Sequence, residues 1–377
     1  MKNSKYKYLF LVAFICSTVN LWAGDIVLEK FPEDGKERII ILHPTTSNIR
    51  HFNFLFEENI IDLKNCEVVG VFYKDENYNY QSAENYIEKQ RIENFKLFEF
   101  NKTIHPDSIF CNNQASALFE HLFLNSKGII FCGGPDILPA IYGERKHLTT
   151  AVSDPKRNLF ELSFANHLLG GRGNKSPLLD QNEDYMVTGI CLGMQTLNVG
   201  TGGSLWQDIP SLFYKHAYVE DVYESDSEIV HKSYSQSATR EKGVYSGTLH
   251  HIRLKEKGRL SNMIGRVGSR FLVNSKHHQC VKKLGKGLQV EATSIDGNIV
   301  EAISHKKYPN VIGLQFHPED SELYRKDNPY RLPGSDNEVL LADQLKKEGS
   351  YDFHLKLWNR IFSDITTNKS INLSSVN

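Results

Sequence analysis

What is scarce in these 377 residues narrows the field before any motif is read. Neither sign of charge is in excess: 44 basic side chains face 45 acidic ones, a formal net charge of −1. That leaves no electrostatic footprint for nucleic acid or for an anionic membrane surface. No internal repeat is present, which sets aside solenoids and propellers. Cysteine is sparse, six in all, and none has CxxC spacing, so no zinc site, and no metal or other cofactor, is expected. The apolar run from Tyr8 to Val19 is too short for a comfortable membrane span.

What is present describes a globular protein. The chain is 40% hydrophobic, with 17 Tyr and 21 Phe, ample for a large core in one or two domains. At the N-terminus Lys2, Lys5 and Lys7 precede the Tyr8 to Val19 run, the pattern of an export signal. Ala23 would be its last residue, with Leu21 at the −3 position. The expected organisation is a signal peptide over 1–23, a folded domain over 25–363 and a polar tail over 364–377. The mature protein would be periplasmic or secreted and free of the membrane. Without the signal five cysteines remain, so at least one is unpaired within a monomer. Cys66 and Cys132 lie in apolar runs and read as core residues.

Short apolar runs alternate with helical patterns. Strands are expected at 38–43, 66–73, 95–100 and 127–132, with helices at 51–62, 83–93 and 114–124 between them. Ser153-Asp154-Pro155 opens another helix that runs to Leu169. Near-continuous apolar strands alternating with helices predict an α/β fold with a mainly parallel sheet covered on both faces. Ser211 to Gly268 is less regular and reads as short strands and loops. After a strand at 270–275, Asp296-Gly297 between two β-prone runs is a hairpin signal and predicts an antiparallel extension. A further strand covers 311–316. Phe353, Leu357, Trp358, Ile361 and Phe362 share one face of a last helix.

The chemistry centres on Gly189-Ile190-Cys191-Leu192-Gly193-Met194-Gln195. An apolar strand precedes it and a helical pattern follows. A cysteine at such a turn is held with its side chain exposed, near a helix N-terminus that favours the thiolate. The flanking glycines let neighbouring backbone approach closely. The N–H of Leu192 points where an oxyanion would form. Gly133-Gly134-Pro135, at the end of another buried strand, could supply the second oxyanion N–H. A thiol needs a base and a group that orients the base. His317-Pro318-Glu319, after the 311–316 strand, offers both: His317 to take and return the proton, Glu319 to hold the imidazole tautomer.

Together these pieces resemble the class I glutamine amidotransferase superfamily, and within it the γ-glutamyl hydrolase branch. The resemblance is carried by the Cys191 turn and by Gln315-Phe316-His317-Pro318-Glu319. It extends to Gly133-Gly134-Pro135-Asp136, Arg157 with Phe160-Glu161, Leu205 to Ile209, Val273 to Gln279, and Glu291 to Ile303. It implies a flavodoxin-like core and a Cys191–His317–Glu319 triad, with oxyanion N–H groups from Gly134 and Leu192. It further implies a substrate site beside Gly133, Gln195, His277, His278 and Gln279. The partner would be a small γ-glutamyl compound, cleaved through a thioester; the oligomeric state is left open, a homodimer included. Leu192 stands where many members carry Arg or Lys, and Asn158 where an Asp is usual. Residues 322–350 look inserted. A glutaminase subunit serving a synthetase and a non-catalytic binding protein on the same scaffold are the competing readings.

Overall fold

The computed structural model describes residues 31, 34–63, 66–234, 244–264, 270–332, 335 and 337–366. The signal segment over 1–23 and residues 367–377 of the polar tail lie outside the described residues.

The first half builds a parallel sheet. Strands β1 (Glu37–Leu42), β2 (Cys66–Tyr73), β3 (Phe95–Phe100), β4 (Gly128–Phe131) and β5 (Met186–Ile190) alternate with helices α1 (Thr46–Glu57), α2 (Gln81–Gln90), α3 (Ser116–Leu124), α4 (Pro155–Leu169) and α5 (Leu192–Gly200). Two short strands, β6 (Ser204–Trp206) and β9 (Cys280–Lys283), pair apart from the main sheet. The remaining strands are β7 (Thr248–Leu254), β8 (Arg270–Ser275), β10 (Leu288–Ser294), β11 (Val300–His305) and β12 (Val311–Leu314). The main sheet runs β3-β2-β1-β4-β5-β12-β11-β10-β7-β8. Pairing is parallel from β3 to β12 and antiparallel from β12 to β8. The doubly wound, flavodoxin-like class and its antiparallel extension are therefore as expected.

Strand alternation supplies both faces. Ile39 and Ile41 join Phe52 and Leu55 of α1 and Trp358 of the C-terminal helix (Tyr351–Thr366) on one side. Ile40 and Leu42 join Phe119 of α3 and Phe160 and Phe164 of α4 on the other. Cys66 and Cys132 are buried, as read, and all five described cysteines are free thiols. The C-terminal helix runs past residue 363.

Two local readings shift, and a third holds. Helix α1 begins at Thr46 rather than His51, because the Thr45 hydroxyl caps it by accepting from Asn48 N at 3.2 Å. A full strand, β7, crosses the stretch read as irregular. Its central His250-His251 hides the apolar alternation, yet both histidines are buried. The Asp296-Gly297 turn does close the β10–β11 hairpin, with Gly297 at φ 78°.

Candidate active site

Strand order explains why distant residues meet. The sheet reverses its winding between β1 and β4, and ligands collect beyond the carboxyl ends of strands at such a point. Strands β4, β5 and β12 are parallel neighbours, so the loops that leave them (Gly133-Gly134, Cys191 and His317) emerge side by side.

Cys191 sits at φ 52° and ψ −105°, between the end of β5 and the first residue of α5. A non-glycine residue holds such a conformation only when its surroundings impose it. They do so here by crowding. A Cβ on Gly189 would lie 2.6 Å from the Gly193 carbonyl carbon, and a Cβ on Gly193 would overlap the Phe131 carbonyl oxygen. The turn is pinned at both ends, with Cys191 N donating to Leu314 O at 2.7 Å and Gln195 N to Cys191 O at 3.2 Å.

His317 Nδ1 lies 2.7 Å from Glu319 Oε1, and both side chains are largely buried. With Nδ1–H donated to the carboxylate, Nε2 is left for the sulfur. The site wraps closely: a Cβ on Gly133 would stand 2.9 Å from His317 Cε1 and 3.6 Å from Cys191 Cβ. Burial alone would lower the basicity of the His317 imidazole. The Glu319 carboxylate and the hydrogen-bonded Cys191 sulfur outweigh it and raise the pKa to about 10. The turn itself is fixed from behind. Pro318 O accepts from Tyr324 Oη at 2.7 Å and from Trp358 Nε1 at 3.3 Å. His317 N donates to Asn274 O at 2.9 Å, and Asp320 is held by Lys276 and Tyr245 at 2.7 and 2.6 Å.

Leu192 opens α5, so its N–H has no intrahelical acceptor and is free to face an anion. Its side chain turns the other way, into an apolar cluster with Ile137, Leu162 and Val199. The position serves packing. Behind the opposing loop, Arg157 of α4 is fully buried. Its Nη1 donates to Gly133 O at 3.1 Å and its Nη2 to Cys132 O at 2.8 Å, while Nε meets Glu161 Oε1 at 2.6 Å. With the carbonyls of residues 132 and 133 tied down, the following N–H groups face outward. A Cβ on Gly134 would overlap Arg157 Nη1 and come 3.1 Å from Leu192 Cδ2. Gly134→Ala is accordingly expected to displace the loop and to lower turnover about 10²–10³-fold, the usual effect of losing one oxyanion donor. Steady-state kinetics beside a thermal melt would separate that loss from unfolding.

The other residues read from the sequence are distributed as follows. Gln195 is buried and directs Nε2 toward Gln279 O (3.5 Å) and Gln315 Oε1 (3.4 Å). The Gln279 amide donates to Gln207 O at 3.2 Å. His278 bridges two loops, with Nδ1 3.0 Å from Asp208 and Nε2 3.1 Å from Asp136. Burial opposes its charge, but the two carboxylates win and raise its pKa. His277 turns inward, with Nδ1 2.9 Å from Gln279 O and Nε2 3.5 Å from Glu301. Asp136, Arg157 and Asp208 are the contributors that motif reading passed over as site residues. Arg157 and Glu161, one turn apart in a helix that also carries Leu159, Phe160, Leu162 and Phe164, were the available signal, since a buried guanidinium needs acceptors.

Comparison with known proteins bears on this geometry. The family model described as Peptidase C26 matches residues 68–319. A glutamine amidotransferase-like protein of Lactococcus lactis is 35% identical over 191 residues, covering 51% of this chain and 65% of that protein. A γ-glutamyl-γ-aminobutyrate hydrolase of Escherichia coli is 32% identical over 208 residues, covering 54% of this chain and 68% of that one. The aligned stretch thus spans about two thirds of these relatives and about half of this chain. A solved glutamine amidotransferase from Thermotoga maritima overlays with a TM-score of 0.38 at 12% identity, covering 86% of this chain and 98% of that one. That likeness is too loose to add to the strand order.

Proposed function

The chain belongs to the Peptidase C26 family, and from that premise we propose that it hydrolyses γ-glutamyl amides with Cys191 as nucleophile, His317 as base and acid, and Glu319 as the group that orients the base. The observation that carries this reading is the strained Cys191 turn lying against a His317–Glu319 pair 2.7 Å apart.

The chemistry follows from the groups in place. A positive imidazole and the N-terminus of α5 both favour the anionic sulfur. The thiolate attacks the δ-carbonyl of the γ-glutamyl group, and the negative oxygen is received by the N–H groups of Leu192 and Gly134. The tetrahedral adduct collapses to a thioester as the imidazolium gives its proton to the departing amine. Water, deprotonated by the now neutral His317, then attacks the thioester, releases glutamate and restores the thiolate beside the imidazolium. Gly133, Gln195 and His278 are the candidates for holding the glutamyl moiety. On the N-terminal reading, the substrate would be met outside the cytoplasm. Among the described residues no helix is long and apolar enough to cross a membrane.

Purified protein assayed against a panel of γ-glutamyl compounds, with Cys191→Ala as control, tests the reading. Hydrolysis confined to the protein with Cys191 supports it, whereas ligand-dependent thermal stabilisation without turnover favours a binding protein.

The raised pKa of His317 gives a separate expectation. Folding holds a proton there that the unfolded chain, with an ordinary value near ~6.5, releases. The imidazole therefore contributes stability that is full below about pH 6.5 and lost as pH rises toward about 10. In Glu319→Gln the main upward influence is gone and burial prevails. The alkaline limb of the rate profile should move to lower pH, kcat should fall about 10²–10⁴-fold, and melting temperature should decline less steeply across that interval.

A further inference from the structure

Away from the sulfur, the antiparallel extension buries four side chains around a common centre. His231 leads out of the loop before residue 235, His250 lies on β7, His277 follows β8 and Glu301 is on β11. All four are at most 3% exposed. One potential ligand atom from each falls within 4.8 Å of all the others. Glu301 Oε1 lies 3.1 Å from His231 Nδ1, 3.5 Å from His277 Nε2 and 3.8 Å from His250 Nε2.

The ion-pair contacts of Glu301 with His231 and His277 leave the set without well-formed hydrogen bonds. His231 Nδ1 and Nε2, His250 Nε2, His277 Nε2 and both Glu301 oxygens have no hydrogen-bond partner. Buried polar atoms are rarely left so, and six in one cluster call for an occupant. The tautomers are also prepared. His277 Nδ1 is 2.9 Å from Gln279 O and His250 Nδ1 is 3.2 Å from His251 O. Each ring must donate Nδ1–H to its carbonyl, which leaves the Nε2 lone pair aimed at the centre. This is the outer-sphere arrangement that orients metal-bound histidines.

We propose that His231, His250, His277 and Glu301 bind a divalent transition-metal ion, zinc in the first instance. A tetrahedral ion with ligands at about 2.0–2.1 Å spaces them about 3.3 Å apart; the three separations from Glu301 Oε1, 3.1–3.8 Å, bracket that value, and the remaining pairs, within 4.8 Å, would draw in on binding. Three imidazoles and a carboxylate suit zinc better than calcium or magnesium, which prefer oxygen. Four protein ligands fill the tetrahedron and leave no place for substrate, so the ion is structural. It would tie β7, β11 and the loop at 231 to the segment 277–279, whose Gln279 carbonyl reaches Gln195 beside the nucleophile. Cysteine spacing gives no sign of such a site, because it uses none.

The proposal is independent of the hydrolase reading, and its test reads metal rather than turnover. The full chain, expressed with zinc and passed over chelating resin, should carry about one equivalent by elemental analysis. Glu301→Gln and His250→Ala should retain less than about a tenth of it. Because those variants could misfold, the unaltered protein is also stripped with a chelator and titrated with cobalt(II). The visible absorption of a tetrahedral cobalt site should saturate at one equivalent and vanish on adding zinc. Zinc should raise the melting temperature of the stripped protein by several degrees or more. Failure of the stripped protein to bind either ion, or retention of zinc by Glu301→Gln, would overturn the assignment.

Discussion

Replacing Cys191 by Ala is expected to reduce γ-glutamyl hydrolysis by about 10⁴–10⁶-fold, the range found when a nucleophile acting in a unit is removed. The rest of the site should survive, because the turn is imposed by Gly189, Gly193 and the Phe131 carbonyl rather than by the sulfur. A companion substitution separates strain from chemistry. Ala keeps a Cβ at φ 52°, whereas Gly does not. Cys191→Gly should therefore be equally inactive yet more stable than Cys191→Ala by about 1–3 kcal/mol, the usual cost of such backbone. Chemical denaturation of the two variants measures the difference. If Ala were the more stable, the strained-turn account would fail.

The second large effect is expected at Arg157. Its guanidinium is fully buried against Glu161 and the carbonyls of residues 132 and 133. Burial already drives the Glu161 pKa up to about 7 against the pull of Arg157. Arg157→Ala strands that carboxyl, a change that typically costs about 3–5 kcal/mol, and should lower the melting temperature by roughly 4–7 °C. The double variant Arg157→Met with Glu161→Leu removes both charges and should recover most of the stability. It should not recover activity, because nothing then holds the two carbonyls that set the Gly134 N–H. Recovery of both would show that Arg157 acts through stability alone.

How much of this was legible in the chain depends on what kind of signal each part sends. Parallel strands buried on both faces leave continuous apolar runs, so β1, β2, β4 and β5 could be read directly. The Cys191 turn announces itself through glycines that have no substitute at that spacing. His317 and Glu319 could be paired because a single proline, Pro318, separates them. The metal-type cluster could not be read in the same way. Its members are contributed by a loop, two strands and a strand end, from positions 231 to 301, and only the register of β7 with β8 and of β10 with β11 brings them together. One local sign existed: Glu301 occupies a buried position between Val300 and Ala302 in β11. Arg157 showed only its spacing from Glu161, since its other acceptors are backbone carbonyls more than twenty residues away.

The most direct test of the account is acid-quenched intact-mass analysis during turnover of a γ-glutamyl substrate, followed by peptide mapping. The account predicts a transient adduct of one glutamyl group on the peptide containing Cys191, lost on incubation in water and never formed by Cys191→Ala. Sustained hydrolysis by Cys191→Ala, or an adduct mapped to a different residue, would contradict it.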